Sequence, residues 1–264
     1  DPIETKRAVE FWTPEKLRSA VPMEMLLMKE KSDLYAKKAS MSDEFLDKVL
    51  DVDTAPVPKE NYKNSPYIES GRIFFNYQNR TASCSGTSNG NNVVITAGHC
   101  ISLGGVYHTE WIFVPQYANG TAPFGKWPAR KVYVFDSWHS SQDMGRDVGF
   151  AVVSVNNEGK KISDVVGALD AGICTVPNAE KITSIGYPGN IGDAQIMIRT
   201  YDYLRWSFKV GPYNPPPIGI RSKMGPGSSG GAWVMKYNTE NLVCSVNSFL
   251  IRFTYYVWGP QFEK

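Results

Sequence analysis

Hydrophobic and polar positions change rhythm near residue 60 of this 264-residue chain. Before it, apolar residues recur at helical spacing among Lys, Glu and Met, which predicts helices. Thr13-Pro14-Glu15 reads as an N-cap with proline at the first helical position. A second helix is expected from about Ser42 to Leu50, with Ser42 as cap and Phe45, Leu46, Val49 and Leu50 as its apolar stripe. Ala55-Pro56-Val57-Pro58 then reads as a linker, so a boundary is expected near residues 55 to 66.

After Pro66 the apolar residues fall into short runs bounded by Gly, Asn and Pro clusters. Arg72–Phe75, Asn92–Ile95, Trp111–Val114, Lys131–Val134 and Val148–Val153 form one series. Ile182–Ile185, Gln195–Ile198, Ala232–Met235 and Leu242–Val246 form another. Short strands at this spacing predict an all-β barrel or sandwich, and two series predict two lobes. We expect a helical N-terminal extension over 1–60 and a β domain over 66–264, its first lobe at about 66–160 and its second at about 170–264. No internal repeat is present, and Pro215-Pro216-Pro217 is only a stiff loop.

Charge changes the picture by exclusion. With 28 basic against 26 acidic residues, no field favours nucleic acid or an anionic membrane as partner. No apolar run is long enough to span a bilayer, and Asp1-Pro2-Ile3-Glu4 lacks signal-peptide character, which predicts a soluble or already processed chain. Four cysteines without a Cys-x-x-Cys spacing point away from zinc and toward two disulfides, hence toward secretion. Two glycosylation acceptors, Asn79 and Asn119, agree with that compartment.

Nucleophilic acyl transfer needs a base, a group that holds the base's tautomer, a nucleophile and donors for an oxyanion. His99, in Thr96-Ala97-Gly98-His99-Cys100, is the candidate base; a histidine merely capping a strand is the plainer alternative. Gly227-Ser228-Ser229-Gly230-Gly231 supplies a nucleophile, Ser229 or its neighbour Ser228. Its glycines let the backbone turn sharply enough for the Gly227 and Ser229 amides to converge on an oxyanion. Asp147, directly before the apolar run at Val148, is the candidate orienting carboxylate, with Asp136 and Asp143 as nearby alternatives.

These three blocks, in the order His, Asp, Ser, resemble the catalytic blocks of chymotrypsin-like serine proteases, over roughly residues 66 to 260. The resemblance implies two six-stranded antiparallel β-barrels with the active site in the cleft between them. It also implies Ser229 rather than Ser228 as nucleophile, and a disulfide between Cys84 and Cys100. Cys174 and Cys244 are left to form the second bridge by count and compartment. Ser228 stands where the digestive members carry the aspartate that binds a new amino terminus, and no Ile-Val-Gly-Gly start is present. The chain therefore looks closer to the secreted microbial branch, including the V8-like enzymes.

By family position Lys223 lies near the base of the first specificity pocket, with Ser245 to Phe249 as its wall, Ser245, Val246 and Asn247 being its candidate substrate contacts. A cation there favours an acidic side chain. The glutamate-specific relatives, however, use a wall histidine where this chain has Val246 or Asn247, and long cations also snorkel to solvent. Specificity stays open. The expectation is a secreted, monomeric serine endopeptidase without cofactor or metal, acting on proteins or peptides and open to proteinaceous inhibitors. A non-catalytic binding protein on the same fold and a zymogen blocked by its N-terminal segment are the rivals. Lys6-Arg7 reads as a dibasic processing site or as a plain surface charge pair, and the following Ala8-Val9-Glu10-Phe11-Trp12-Thr13-Pro14 resembles the pro-region start of secreted microbial trypsin-like peptidases. If retained, the extension should dock through Phe11 and Trp12.

Overall fold

The computed structural model describes residues 2–27, 52–174, 181–204, 206–207, 215–250 and 256–262. The helix expected at 42–50 lies outside them. The N-terminal arm comprises α1 (Pro2–Phe11), α2 (Pro14–Ser19), a two-residue strand β1 (Val21–Pro22) and a helical turn at 23–27. Thr13 caps α2 as expected, its hydroxyl accepting the Lys16 N–H at 3.3 Å. The next strand, β2 (Asp53–Pro56), falls where a linker was expected. It pairs at the edge of a sheet in the second lobe, where Pro56 is tolerated because an edge strand leaves one side unpaired.

Six strands close the first lobe into a barrel: β3 (Ser70–Tyr77), β4 (Arg80–Ser88), β5 (Val93–Thr96), then, past the small β6 (Ser102–Leu103) and β7 (Val106–Tyr107) hairpin, β8 (Thr109–Pro115), β9 (Trp127–Val134) and β10 (Gly149–Val153). Their order is β4-β3-β8-β9-β10-β5, and β5 returns to β4 through Thr87 opposite Ile95. Closure removes the free edges that would otherwise expose unpaired backbone. Arg72, Ile73, Phe74 and Phe75 of β3 are all fully buried, because the arm covers what would be the barrel's outer face. Two short helices, α3 (Asp136–Ser141) and α4 (Ile162–Val166), follow β9 and β10 respectively.

The second lobe is built from β11 (Lys181–Gly186), β12 (Ile198–Tyr203), β13 (Trp206–Ser207), β14 (Ile218–Arg221), β15 (Ala232–Met235), β16 (Leu242–Val246), β17 (Phe249–Leu250) and β18 (Tyr256–Gly259). They form a sheet of order β16-β15-β11-β12-β2 and another of order β13-β14-β18-β17. Ile182, Leu204, Ile218, Ile220, Trp233 and Val257 pack between them as a separate core. The architecture is the two-lobed, mostly β fold that the resemblance implied. The strand expected at Gln195–Ile198 begins only at Ile198, since residues 192–194 form a 3-10 turn.

Disulfides join Cys84 to Cys100 and Cys174 to Cys244, as expected. The arm docks against the first barrel. Trp12 is fully buried against Phe74 at 5.3 Å between rings, and donates its indole N–H to the Glu110 carbonyl at 2.6 Å. Lys126 Nζ donates to the Trp12 carbonyl at 2.5 Å. The buried Arg72 guanidinium donates to the Ala20 carbonyl at 2.8 Å, and β1 runs parallel to β4 with Val21 opposite Ala82. Lys6 and Arg7 sit within α1, paired with Glu10 and Glu110 respectively.

Candidate active site

Strand pairing brings the first two catalytic candidates together. β5 and β10 are antiparallel with Thr96 opposite Gly149, so the turn leaving β5 and the turn entering β10 meet at one end of the barrel. His99 lies in the first, a single 3-10 turn at Gly98–Cys100, and Asp147 ends the second. The Asp147 carboxylate accepts the His99 backbone N–H through Oδ1 and pairs with His99 Nδ1 through Oδ2, both at 2.8 Å. Gly98 lets Trp138 close over this turn, since a Cβ would lie 2.8 Å from the indole. Asp143 instead caps the turn at Gly145, and Asp136 is exposed in the first turn of α3.

The serine loop comes from the second lobe and is pinned to the first. Gly227 and Gly230 adopt φ +95° and +80°, where side chains strain the backbone. A Cβ on Gly230 would also meet Thr96 Oγ1 at 2.0 Å and the Ser85 carbonyl at 2.3 Å. Ser85 of β4 donates its N–H to the Ser229 carbonyl at 2.7 Å and its hydroxyl to the Gly227 carbonyl at 2.9 Å. The Ser228 hydroxyl donates to the Gly225 carbonyl at 2.8 Å. Ser229 Oγ, in contrast, lies at the meeting of the two lobes, 3.3 Å from the Ser248 carbonyl.

Two residues make contacts at the site that the sequence reading did not assign to them. Ser248 donates its hydroxyl to Asp147 Oδ2, tying the second lobe to the Asp147 carboxylate. It lies within the wall segment expected at Ser245 to Phe249, but without the role of a partner to Asp147. Glu24, from the helical turn of the arm, has no comparable signal, being 205 positions from Ser229. Its Oε1 accepts the Ser229 hydroxyl and lies 3.5 Å from His99 Nε2, while its Oε2 accepts the Gly227 N–H at 2.9 Å.

Electrostatics follow from this geometry. Burial opposes charge on His99, but Asp147 and Glu24 together outweigh it and raise its pKa to about 10. Burial likewise opposes charge on Glu24, yet hydrogen bonding and charge from His99, with the Ser229 hydroxyl, hold its carboxyl below the ordinary range. His108, stacked on Phe75 at 4.4 Å, is pushed down to about 4 chiefly by burial; its neutral Nε2–H donates to the His99 carbonyl at 2.9 Å.

The expected pocket residues divide. Lys223 is partly exposed, its N–H directed at Thr54 Oγ1 (3.4 Å) and its carbonyl accepting from Asn190. Ser245 donates to the Pro260 carbonyl at 2.7 Å, and Val246 is buried in the core. Asn247 accepts from Ser184 and Trp233, and donates Nδ2–H to the Ser228 carbonyl at 3.0 Å. Of these three side chains, Asn247 is the one that bonds the serine loop. Asn79 and Asn119 both occupy exposed turns with positive φ.

No family model matches the chain, and no curated protein does. Among solved structures, it is similar to the protease Anisep from Arthrobacter nicotinovorans at 34% identity, covering 75% of this chain and 91% of that one, with a TM-score of 0.65. The thermostable serine protease AL20 from an extremophilic microorganism follows at 26% identity, with 74% and 91% coverage and a TM-score of 0.66. A Glu endopeptidase at 17% identity, covering 79% and 90% with a TM-score of 0.64, shares the fold. With a 34% identical relative spanning three quarters of its length and the same two-lobed fold, the chain belongs to the chymotrypsin-like serine protease family.

Proposed function

We propose that the protein is a serine endopeptidase that cleaves peptide bonds through an acyl-enzyme on Ser229. The observation that carries this reading is the buried Asp147–His99 pair facing a serine held in a glycine-bounded turn. His99 Nε2 takes the Ser229 proton as Oγ attacks the scissile carbonyl, then returns it to the leaving amine; a water molecule, deprotonated by the same nitrogen, releases the acid. Asp147 holds Nδ1 protonated and stabilises the imidazolium, itself steadied by Ser248. The Gly227 and Ser229 amides bind the oxyanion; losing one such donor costs roughly 3 kcal/mol of transition-state stabilisation.

Two disulfides and two exposed glycosylation acceptors support a secreted location. The presence of all three triad residue types weighs against a purely binding role. The test is fluorophosphonate labelling with peptide mapping of the wild-type and Glu24→Ala chains. Label on the Ser229 peptide is expected, absent in Ser229→Ala and strongly slowed in His99→Ala. Absence of label from both chains would sink the reading. Sequencing the products of a digested protein then reads specificity, and cleavage mainly after Arg or Lys would contradict a pocket based on Lys223.

A further inference from the structure

The serine protease reading leaves one group at the site unused: the carboxylate of Glu24. It makes three contacts, each to a group the reaction needs. Oε2 takes the Gly227 N–H at 2.9 Å, Oε1 takes the Ser229 hydroxyl, and Oε1 lies 3.5 Å from His99 Nε2. Among the described residues, His99 Nε2 meets Glu24 as an ion pair and receives no hydrogen bond from Ser229. The serine proton is therefore directed at a carboxylate and not at the base.

We propose that the N-terminal arm is an intramolecular inhibitor and that Glu24 is its plug, one oxygen filling the oxyanion site while the other captures the nucleophile's hydroxyl. The inference rests on the serine protease reading and names its regulation. A carboxylate suits this role because it is a poor electrophile, its carbonyl character being spread over two oxygens. It offers acceptors where the substrate's developing oxyanion would sit but no bond that Ser229 can cut. It also resembles the carboxylate product of peptide hydrolysis, tethered to the enzyme.

The tether makes a weak ligand effective. A single carboxylate binds such a site poorly from solution, but a group on the same chain acts at a high effective concentration. Both sides of Glu24 are anchored: Pro22 packs on Gly227, where a Cβ would lie 3.1 Å from its ring, and Met23 and Leu26 are buried in the main hydrophobic core. Farther back, the Arg18 carbonyl accepts from Gln195. The site opens when residues 20–27 leave it.

The full-length chain tests this directly, with the rate of fluorophosphonate labelling at Ser229 measured alongside peptide turnover, and intact mass showing that the arm is retained. Glu24→Ala should label roughly tenfold to a hundredfold faster than wild type, the scale of losing one or two charge-assisted hydrogen bonds. Glu24→Gln keeps the shape and removes the charge; it should also label faster, and its labelling should switch on at lower pH. That shift isolates the charge, because the groups facing His99 are Asp147, Glu24 and the neutral His108, and only Glu24 changes. Glu15→Gln, an exposed carboxylate of the same arm, should label like wild type. Should Glu24→Ala fail to fold, Glu24→Gln decides. Wild-type rates in a folded Glu24 variant, with Ser229 still labelled, would overturn the plug and leave the protease reading standing. No label in any chain would overturn both.

Discussion

Ser248 reaches the site twice, its carbonyl lying 3.3 Å from Ser229 Oγ and its hydroxyl bonding Asp147 Oδ2 from the other lobe. Ser248→Ala should lower kcat by about tenfold with KM unchanged, since a lost hydrogen bond to a charged group costs about 1.5 kcal/mol or more. Steady-state kinetics in the Glu24→Gln background check it. Gly230→Ala should be more severe: its φ of +80° and the 2.0 Å approach to Thr96 Oγ1 leave no room for a methyl without moving the serine loop. A clear fall in melting temperature, with loss of activity, is the expected result.

His99 also predicts a pH dependence. Its pKa in the folded protein is raised to about 10, above the ordinary 6.5. The stability it contributes is thus fully present below about pH 6.5 and is lost as pH rises through 10. Melting temperature followed from pH 6.5 to 10 should fall less steeply in His99→Gln than in wild type. Equal slopes would show that the imidazolium is not stabilised by its two carboxylates.

Among the elements, the arm is the informative one. Hydrogen bonds, an ion pair and the β1–β4 pairing tie it to the barrel, and Trp12 is its largest buried side chain. Trp12→Ala should cost about 3–5 kcal/mol of docking, the range for emptying a large aromatic site. Hydrogen exchange should then show residues 2–27 opening before the barrel strands, and Ser229 labelling should rise as in Glu24→Ala. Strand prediction worked where apolar β-formers cluster, as in β3, β8, β10 and β15, and failed for β4. Arg80-Thr81-Ala82-Ser83-Cys84-Ser85-Gly86-Thr87-Ser88 is built from small and polar residues, and its extension comes from pairing with β3, β5 and β1. Small residues are required there: a Cβ on Gly86 would lie 2.5 Å from Ile73 Cδ1.

Across the whole molecule, each disulfide closes a different length of chain. The chain-entropy relation gives about 3 kcal/mol for the 16-residue separation of Cys84–Cys100 and about 4 kcal/mol for the 70-residue separation of Cys174–Cys244. Paired Cys→Ala variants should follow that order in chemical denaturation. The Cys84/Cys100 pair should also lose activity, since it holds the turn that carries His99, whereas the second pair lies in the second-lobe core.

The candidates His99, Asp147 and Ser229 could be picked out in the chain because each sits in a short local motif whose turn chemistry is written in neighbouring residues: Gly98 and Cys100, Val148 and Gly149, Gly227 and Gly230. The two-lobed β class was legible for the same local reason, through periodicity and turn residues. Tertiary structure alone decided which groups from distant segments meet them. Ser248 reaches Asp147 across 101 positions, Ser85 braces the Gly227 carbonyl across 142, and Glu24 enters the site from 205 positions away. Local sequence encodes the bend of the backbone at a residue, whereas contacts across the cleft depend on how two closed sheets and an arm pack, a sum over many buried side chains that no short motif records.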